Sequence, residues 1–308
     1  MQQTETTDPP QTVILGHKGA LGDFLQVWPS LYALTRHWPE AEFFWAGREA
    51  YELWTGPLVI RKCPGEQRRI LDTLYSATVR PKGLGSAQVI WFGLKKNPFD
   101  QSLPGVWFLP GLKTGDRRPP RTVYARGLAE QGVILEKDWI QAWRLLIQAW
   151  SPGAAQVWKV LLFPGSGHRT KCWPLEKFQA LGEWLEDSGW EVSCVYGPVE
   201  RERGIAVKKF EPLFPQNFEE LQAVLTKATL VVGNDCGPLH LAGYLGVPSL
   251  SLFGPSDPAQ WGPYGAMTVS RGLDCSPCTE LGEIDCPRPV CLRDLPLRRV
   301  QAALGELL

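Results

Sequence analysis

The sequence predicts two α/β domains, each a parallel sheet covered by helices on both faces. Three observations carry this prediction. The chain has 308 residues, a length that suits two domains of about 150 residues each. Apolar runs of strand length alternate with stretches of helical spacing, most regularly after residue 158. Small-residue turns recur where a strand gives way to a helix, as in "GALGD" at 19–23. Turns of that kind let backbone approach a ligand.

Taken in order, "TVILG" (12–16) predicts the first strand. The "KGALGD" turn follows, then a helix from about Asp23 to His37. Pro29 lies inside that helix and predicts a kink or an early end to a turn. "AEFFWAG" (41–47) predicts a second strand, with "YELWTG" a short helix after it, and "AQVIWFG" (87–93) a further strand. The Pro/Gly-rich stretch 95–121 suits an irregular loop lining a site. "VYARGLAEQGV" and "DWIQAWRLLIQAW" predict helices, and "SPGAAQ" (151–156) a linker. The expected domains are therefore 1–150 and 151–308, with the last helix able to pack back on the first.

The second half is more regular. "KVLLFPG", "EVSCVYG", "LVVGND" and "PSLSLFG" predict strands. "PLEKFQALGEWLEDSG" predicts a helix with Pro174 near its first position and Gly189 past its end. "FEELQAVLTKA", "GPLHLAGYLG" and the terminal "LPLRRVQAALGELL" predict three more. Two such domains would face each other across a cleft, with strand ends pointing into it.

Composition narrows the class. Hydrophobic residues make up 44% and charged residues 21%, an ordinary globular balance. No stretch approaches the roughly 20 apolar residues of a membrane span. "MQQTETTDPPQ" has neither a basic n-region nor an apolar h-region, so the expectation is a cytoplasmic protein. Net charge is zero, but residues 1–150 carry 18 Lys/Arg against 14 Asp/Glu. That surplus suits an anionic partner on the first half; nothing points to nucleic acid.

Four stretches that fall just after predicted strands carry the chemistry: "GALGD", "PGSGHRTKCWP" (164–174), "YGPVERE" (196–202) and "GNDCGPLHLA" (233–242), the last followed after one more strand by "FGPSDPAQWGP". Small residues at strand ends, a following helix N-terminus and the cations Arg169 and Lys171 together suit a diphosphate. No P-loop pattern and no G-x-G-x-x-G after the first strand of either half is present. No nucleophile elbow fits either.

These residues carry a family resemblance. "VILGHKGALGDFLQVWPSLYALTRHWPEAEFFWAG", "LLFPGSGHRTKCWPLEKF", "VYGPVERE", "LVVGNDCGPLHLAGYLGVPSLSLFGPSDPAQWGPYG" and "CSPC…C…CLRDLPLRRV" resemble, in order, the motifs of glycosyltransferase family 9, the ADP-heptose:lipopolysaccharide heptosyltransferases. The resemblance implies a GT-B fold, with the acceptor in the N-terminal domain and the nucleotide-sugar in the C-terminal one. It implies inverting, metal-independent transfer from an ADP-sugar to an anionic glycolipid of the lipopolysaccharide core, without a cofactor, in possible peripheral contact with the inner membrane. Asp23 matches the family's catalytic base and Lys171 its diphosphate-binding lysine. Gly19 and Gly22 frame the base. Ser166, Gly167, Arg169 and Glu200 fall on donor-side positions. Asp235, Cys236, Gly237, Pro238 and His240 match the D-[ST]-G-x-x-H segment, with Cys236 in place of the usual Thr or Ser.

Plainer roles stand beside these. Asp23 also suits a helix cap, Lys171 a solvated lysine, Asp235 a cap, His240 a packed helix histidine and Glu200 a surface charge. Cys275, Cys278, Cys286 and Cys291 have the C-x2-C…C-x4-C spacing of a zinc site, or of plain thiols or a disulfide. Trp107, Trp139, Trp143 and Trp150 suit either sugar stacking or core packing. Two other functions fit the same motifs: a non-catalytic nucleotide-sugar-binding protein, and another GT-B enzyme acting on a free nucleotide-sugar.

Overall fold

The computed structural model describes residues 9–48, 56–74, 77–94, 103–151, 158–278, 286 and 289–307. They form two compact units. The first takes in 1–19, 26–113 and 120–140, the second 20–25, 114–119 and 141–308.

The first unit holds a parallel sheet of β1 (Thr12–Gly16), β2 (Glu42–Trp45), β3 (Ile60–Lys62), β4 (Gln88–Gly93) and β5 (Val106–Pro110), in the order β3-β2-β1-β4-β5. Helices α1 (Leu21–His37), α2 (Gly65–Thr73) and α3 (Pro120–Glu130) accompany it. The strand order reverses between β1 and β4, which pair with Ile14 opposite Val89. Ile14, Leu71, Val89, Trp91 and Val106 share one buried cluster.

The second unit holds β6 (Lys159–Phe163), β7 (Glu191–Val195), β8 (Glu211–Leu213), β9 (Leu230–Asn234), β10 (Ser249–Phe253) and β11 (Met267–Ser270), in the order β11-β10-β9-β6-β7-β8. All its pairings are parallel. Helix α4 (Trp139–Trp150) enters this unit from Gln141, and α5 (Leu175–Asp187), α6 (Pro198–Glu202), α7 (Phe218–Thr226), α8 (Gly237–Leu245), α9 (Pro258–Trp261), α10 (Val290–Arg293) and α11 (Leu297–Leu307) follow. Every residue of β9 and β10 is buried, as central strands covered on both faces require. Val160, Leu162, Phe178, Leu181, Val232 and Leu252 form the core with Val300 and Leu304 of α11.

Several expectations change. Helix α1 begins at Leu21, two residues early, and continues through Pro29. Proline removes one helical hydrogen bond there, while Trp28 and Leu31 on either side are fully buried and hold the helix in place. The Pro/Gly-rich stretch contains strand β5, because Val106 and Leu109 bury themselves against β4. The last helix packs on α5 and β11 in its own unit, through Val300 and Leu304. The short helix "YELWTG" and the linker "SPGAAQ" lie almost wholly outside the described residues.

Candidate nucleotide-sugar site

In an open sheet of this order, ligands bind beyond the strand C-termini where the order reverses. In the second unit that point lies between β6 and β9. The two loops leaving it are Pro164–Lys171 and Asp235–Gly237, both singled out by sequence.

Asn234, fully buried at the end of β9, ties the two loops together. Its Nδ2 donates to Pro164 O at 2.8 Å, and its Oδ1 accepts from the Trp173 amide at 2.8 Å. Ser166 Oγ donates to Asp235 O at 2.8 Å. Two donors meet on a single carboxylate oxygen of Asp235: Lys171 Nζ at 2.8 Å and Ser256 Oγ at 2.6 Å. Asp235 is 7% exposed. Lys171 is more open and lies 6.0 Å from the Trp261 ring centroid. A lysine paired to a buried carboxylate at this distance is held in place by a charge-assisted hydrogen bond.

On the other side of the first loop, α6 acts as a support. Glu200 accepts the Gly197 amide at 2.8 Å, which is the reverse half of a capping box at the start of α6, glycine having no side chain to give the other half. A Cβ at Gly165 would overlap the Glu200 side chain, so any larger residue there must displace Glu200 from the Gly197 amide. Arg203, just past α6, donates to Ser166 O and Gly167 O at 3.0 Å each. Arg169 is exposed.

Cys236 caps α8 without a side-chain hydrogen bond, and Pro238 lies in its first turn. Burial pushes the Cys236 thiol well above its ordinary value, with the Asp235 carboxylate adding to the effect. His240 is buried on α8. The turn that carries Asp23 belongs to the same unit. A Cβ on Gly22 would lie 3.6 Å from Gly237 Cα and 3.5 Å from the His240 ring, and one on Gly237 would meet Leu21 at 2.6 Å. Glycines at both places thus let the Asp23 turn lie against the N-terminus of α8. Asp23 Oδ2 accepts the Ala20 amide at 3.0 Å, which is half of a capping box, with the aspartate in the third helical position. Gly19 directly precedes this turn in the chain.

The sequence reading missed Asn234, Arg203, Ser256 and the pair Arg117–Asp257. The last is formed at 2.5 Å, and the Arg117 hydrogen bond holds the Asp257 carboxyl below its ordinary value. Gln260 Nε2 also donates to Asp116 O at 3.0 Å. "FGPSDPAQW" signals only a loop after a strand; the partners of Ser256 and Asp257 lie 21 and 140 residues away. Of the tryptophans, Trp143 is fully buried and belongs to the core, while Trp107 packs on Trp38 at 5.6 Å between ring centroids.

Cys275 and Cys278 are exposed, Cys286 partly buried and Cys291 buried. The Cys278 amide donates to Pro255 O at 3.0 Å. Among the described residues, no group of three or more His, Cys, Asp or Glu is arranged to hold a metal ion. Among them too, no helix is long and apolar enough to cross a membrane.

Known proteins resemble the chain in sequence and in fold. Residues 141–285 match the model of glycosyltransferase family 9 (heptosyltransferase). Lipopolysaccharide heptosyltransferase 1 of Pseudomonas aeruginosa is 32% identical over 177 residues, which cover 51% of this chain and 49% of that protein. The match thus spans about half the length of that curated relative. The solved structure of Escherichia coli heptosyltransferase WaaC with ADP shares the fold, with a TM-score of 0.65 at 20% identity over 96% of this chain and all of that one. The E. coli ADP-heptose lps heptosyltransferase II shares it with a TM-score of 0.62 at 16% identity, over 96% of this chain and 98% of that one. Residues 141–285 are thus similar to glycosyltransferase family 9, the chain's relatives in sequence are lipopolysaccharide heptosyltransferases, and its fold is that of the solved heptosyltransferases.

Proposed function

We propose that the chain is an inverting glycosyltransferase that moves heptose, or a related sugar, from an ADP-sugar to an acceptor of the lipopolysaccharide core. The observation that carries this reading is one cluster in the second unit. It combines the loop Pro164–Lys171, the Asp235–Lys171–Ser256 contacts and the Asp23 turn against the start of α8. Relatives named as lipopolysaccharide heptosyltransferases and a WaaC structure holding ADP support the donor and acceptor classes.

In this mechanism the Asp23 carboxylate takes the proton of the acceptor hydroxyl as that oxygen attacks the anomeric carbon. The bond from the anomeric carbon to the diphosphate oxygen breaks on the opposite face, so configuration inverts. Its electron pair leaves with ADP, and Lys171 and the loop amides receive the growing negative charge. The reaction takes place at the cytoplasmic face of the inner membrane, where the basic surplus of the first 150 residues meets an anionic glycolipid.

The test is turnover of ADP-heptose with a lipopolysaccharide-core acceptor. Asp23→Ala is expected to lower turnover by roughly a hundredfold to ten-thousandfold while ADP binding survives. Full activity in that variant would rule Asp23 out as the base.

A further inference from the structure

The turn Ser166–His168 is shaped by a side chain that reaches it from α6. The Arg203 amide donates to Val199 O at 3.1 Å, so its backbone is fixed to the last turn of that helix. From there Nη1 and Nη2 take two successive carbonyls, those of Ser166 and Gly167, at 3.0 Å each. In a trans peptide the carbonyl and the following N–H point in opposite directions. Holding both carbonyls therefore aims the amides of Gly167 and His168 away from the guanidinium. Among the described residues neither amide donates a hydrogen bond. The space beside Gly167 is open, with no atom within 4 Å of where its Cβ would stand. Successive outward amides of this kind form an anion-binding concavity, and Lys171 stands four residues beyond Gly167 at the end of the same loop.

We propose that Arg203 is a positioning residue: it fixes the Gly167 and His168 amides in the orientation that receives the phosphate oxygens of a nucleoside diphosphate. Its own contacts are to carbonyl oxygens, and the phosphates meet the amides on the opposite side. A planar fork with two terminal nitrogens takes two neighbouring carbonyls at once; an ammonium group supplies the charge without that geometry. The inference rests on the donor site proposed above.

The experiment is calorimetric titration of the full chain with ADP, and ligand-observed NMR with adenosine, which carries no phosphate. Arg203→Lys keeps the charge and loses the double contact, so it is expected to weaken ADP binding roughly tenfold or more and leave adenosine binding unchanged. Arg203→Ala is expected to do at least as much. If Arg203→Lys binds ADP as tightly as the unaltered chain, the inference is overturned. An equal loss for ADP and adenosine overturns it too, because that is the mark of a collapsed loop and not of misaimed amides. An unaltered chain that takes no ADP overturns the donor site itself and this inference with it.

Discussion

Asp235 occupies a position that a single contact would not explain. One carboxylate oxygen accepts both Lys171 and Ser256, and its backbone carbonyl accepts Ser166. A buried carboxylate with one partner removed costs more than the partner contributed. Next to it, Cys236 opens α8 without a side-chain hydrogen bond. Its thiol lies well above its ordinary pKa, and burial pushes those of Cys63 and Cys194 to about 11. The thiolate is the reactive form, so these three are expected to resist iodoacetamide in the native protein near neutral pH while exposed Cys275 is labelled. Rapid native labelling of Cys236, read by peptide mass spectrometry, would contradict that environment. The placements that sequence conveys are those fixed by local pattern: Asp23 in its turn and Lys171 ahead of a helix. Arg203 and Ser256 were illegible because their partners are 36 or 37 and 21 residues distant, and no local spacing encodes such contacts.

At the scale of elements, the β6–α5 connection is held from β9. Asn234→Ala would leave the Trp173 amide and Pro164 O without their partner in a fully buried place. The expected loss is roughly 2–4 kcal/mol of stability, measured by urea denaturation; an unchanged midpoint would contradict the tie. Glycines in this connection differ in the same assay. Gly165→Ala must displace the Glu200 carboxylate and costs about 1–3 kcal/mol, whereas Gly167→Ala enters open space and leaves the midpoint unchanged. Long elements were legible because their signals are internal. The buried runs of β6, β9 and β10 and the capped helix α5 follow from the amino-acid order alone. The short edge strands β3 and β8, of 3 residues each, were not legible. Their burial pattern shows no alternation, and they exist because a neighbouring strand offers unpaired backbone. Strand β5 was hidden in the same way by the prolines and glycines around it.

For the whole molecule, the sequence supports two parallel sheets because βαβ units repeat twice, and both sheets reverse order next to their first strand. The placement of 20–25 and 114–119 in the second unit is a property of tertiary contacts only. Segment 114–119 is held there by Arg117 on Asp257 and by Gln260 on Asp116. Because the folded Asp257 carboxyl lies below its ordinary value, its contribution is fully present above the unfolded carboxylate pKa. That contribution is lost as pH falls through the lowered folded value. The stability gap between the unaltered chain and Arg117→Ala is therefore expected to be largest at neutral pH and to close in strong acid, in thermal melts taken across that range. A gap that widens on acidification would contradict the ion pair.

The central claim is that the loops beyond β6 and β9 hold a nucleoside diphosphate with Lys171 on its charge. Calorimetric titration with ADP tests it most directly. The account predicts one site per chain, weakened roughly tenfold to a hundredfold by Lys171→Ala, with the fold retained. Equal ADP affinity in Lys171→Ala and the unaltered chain would contradict it.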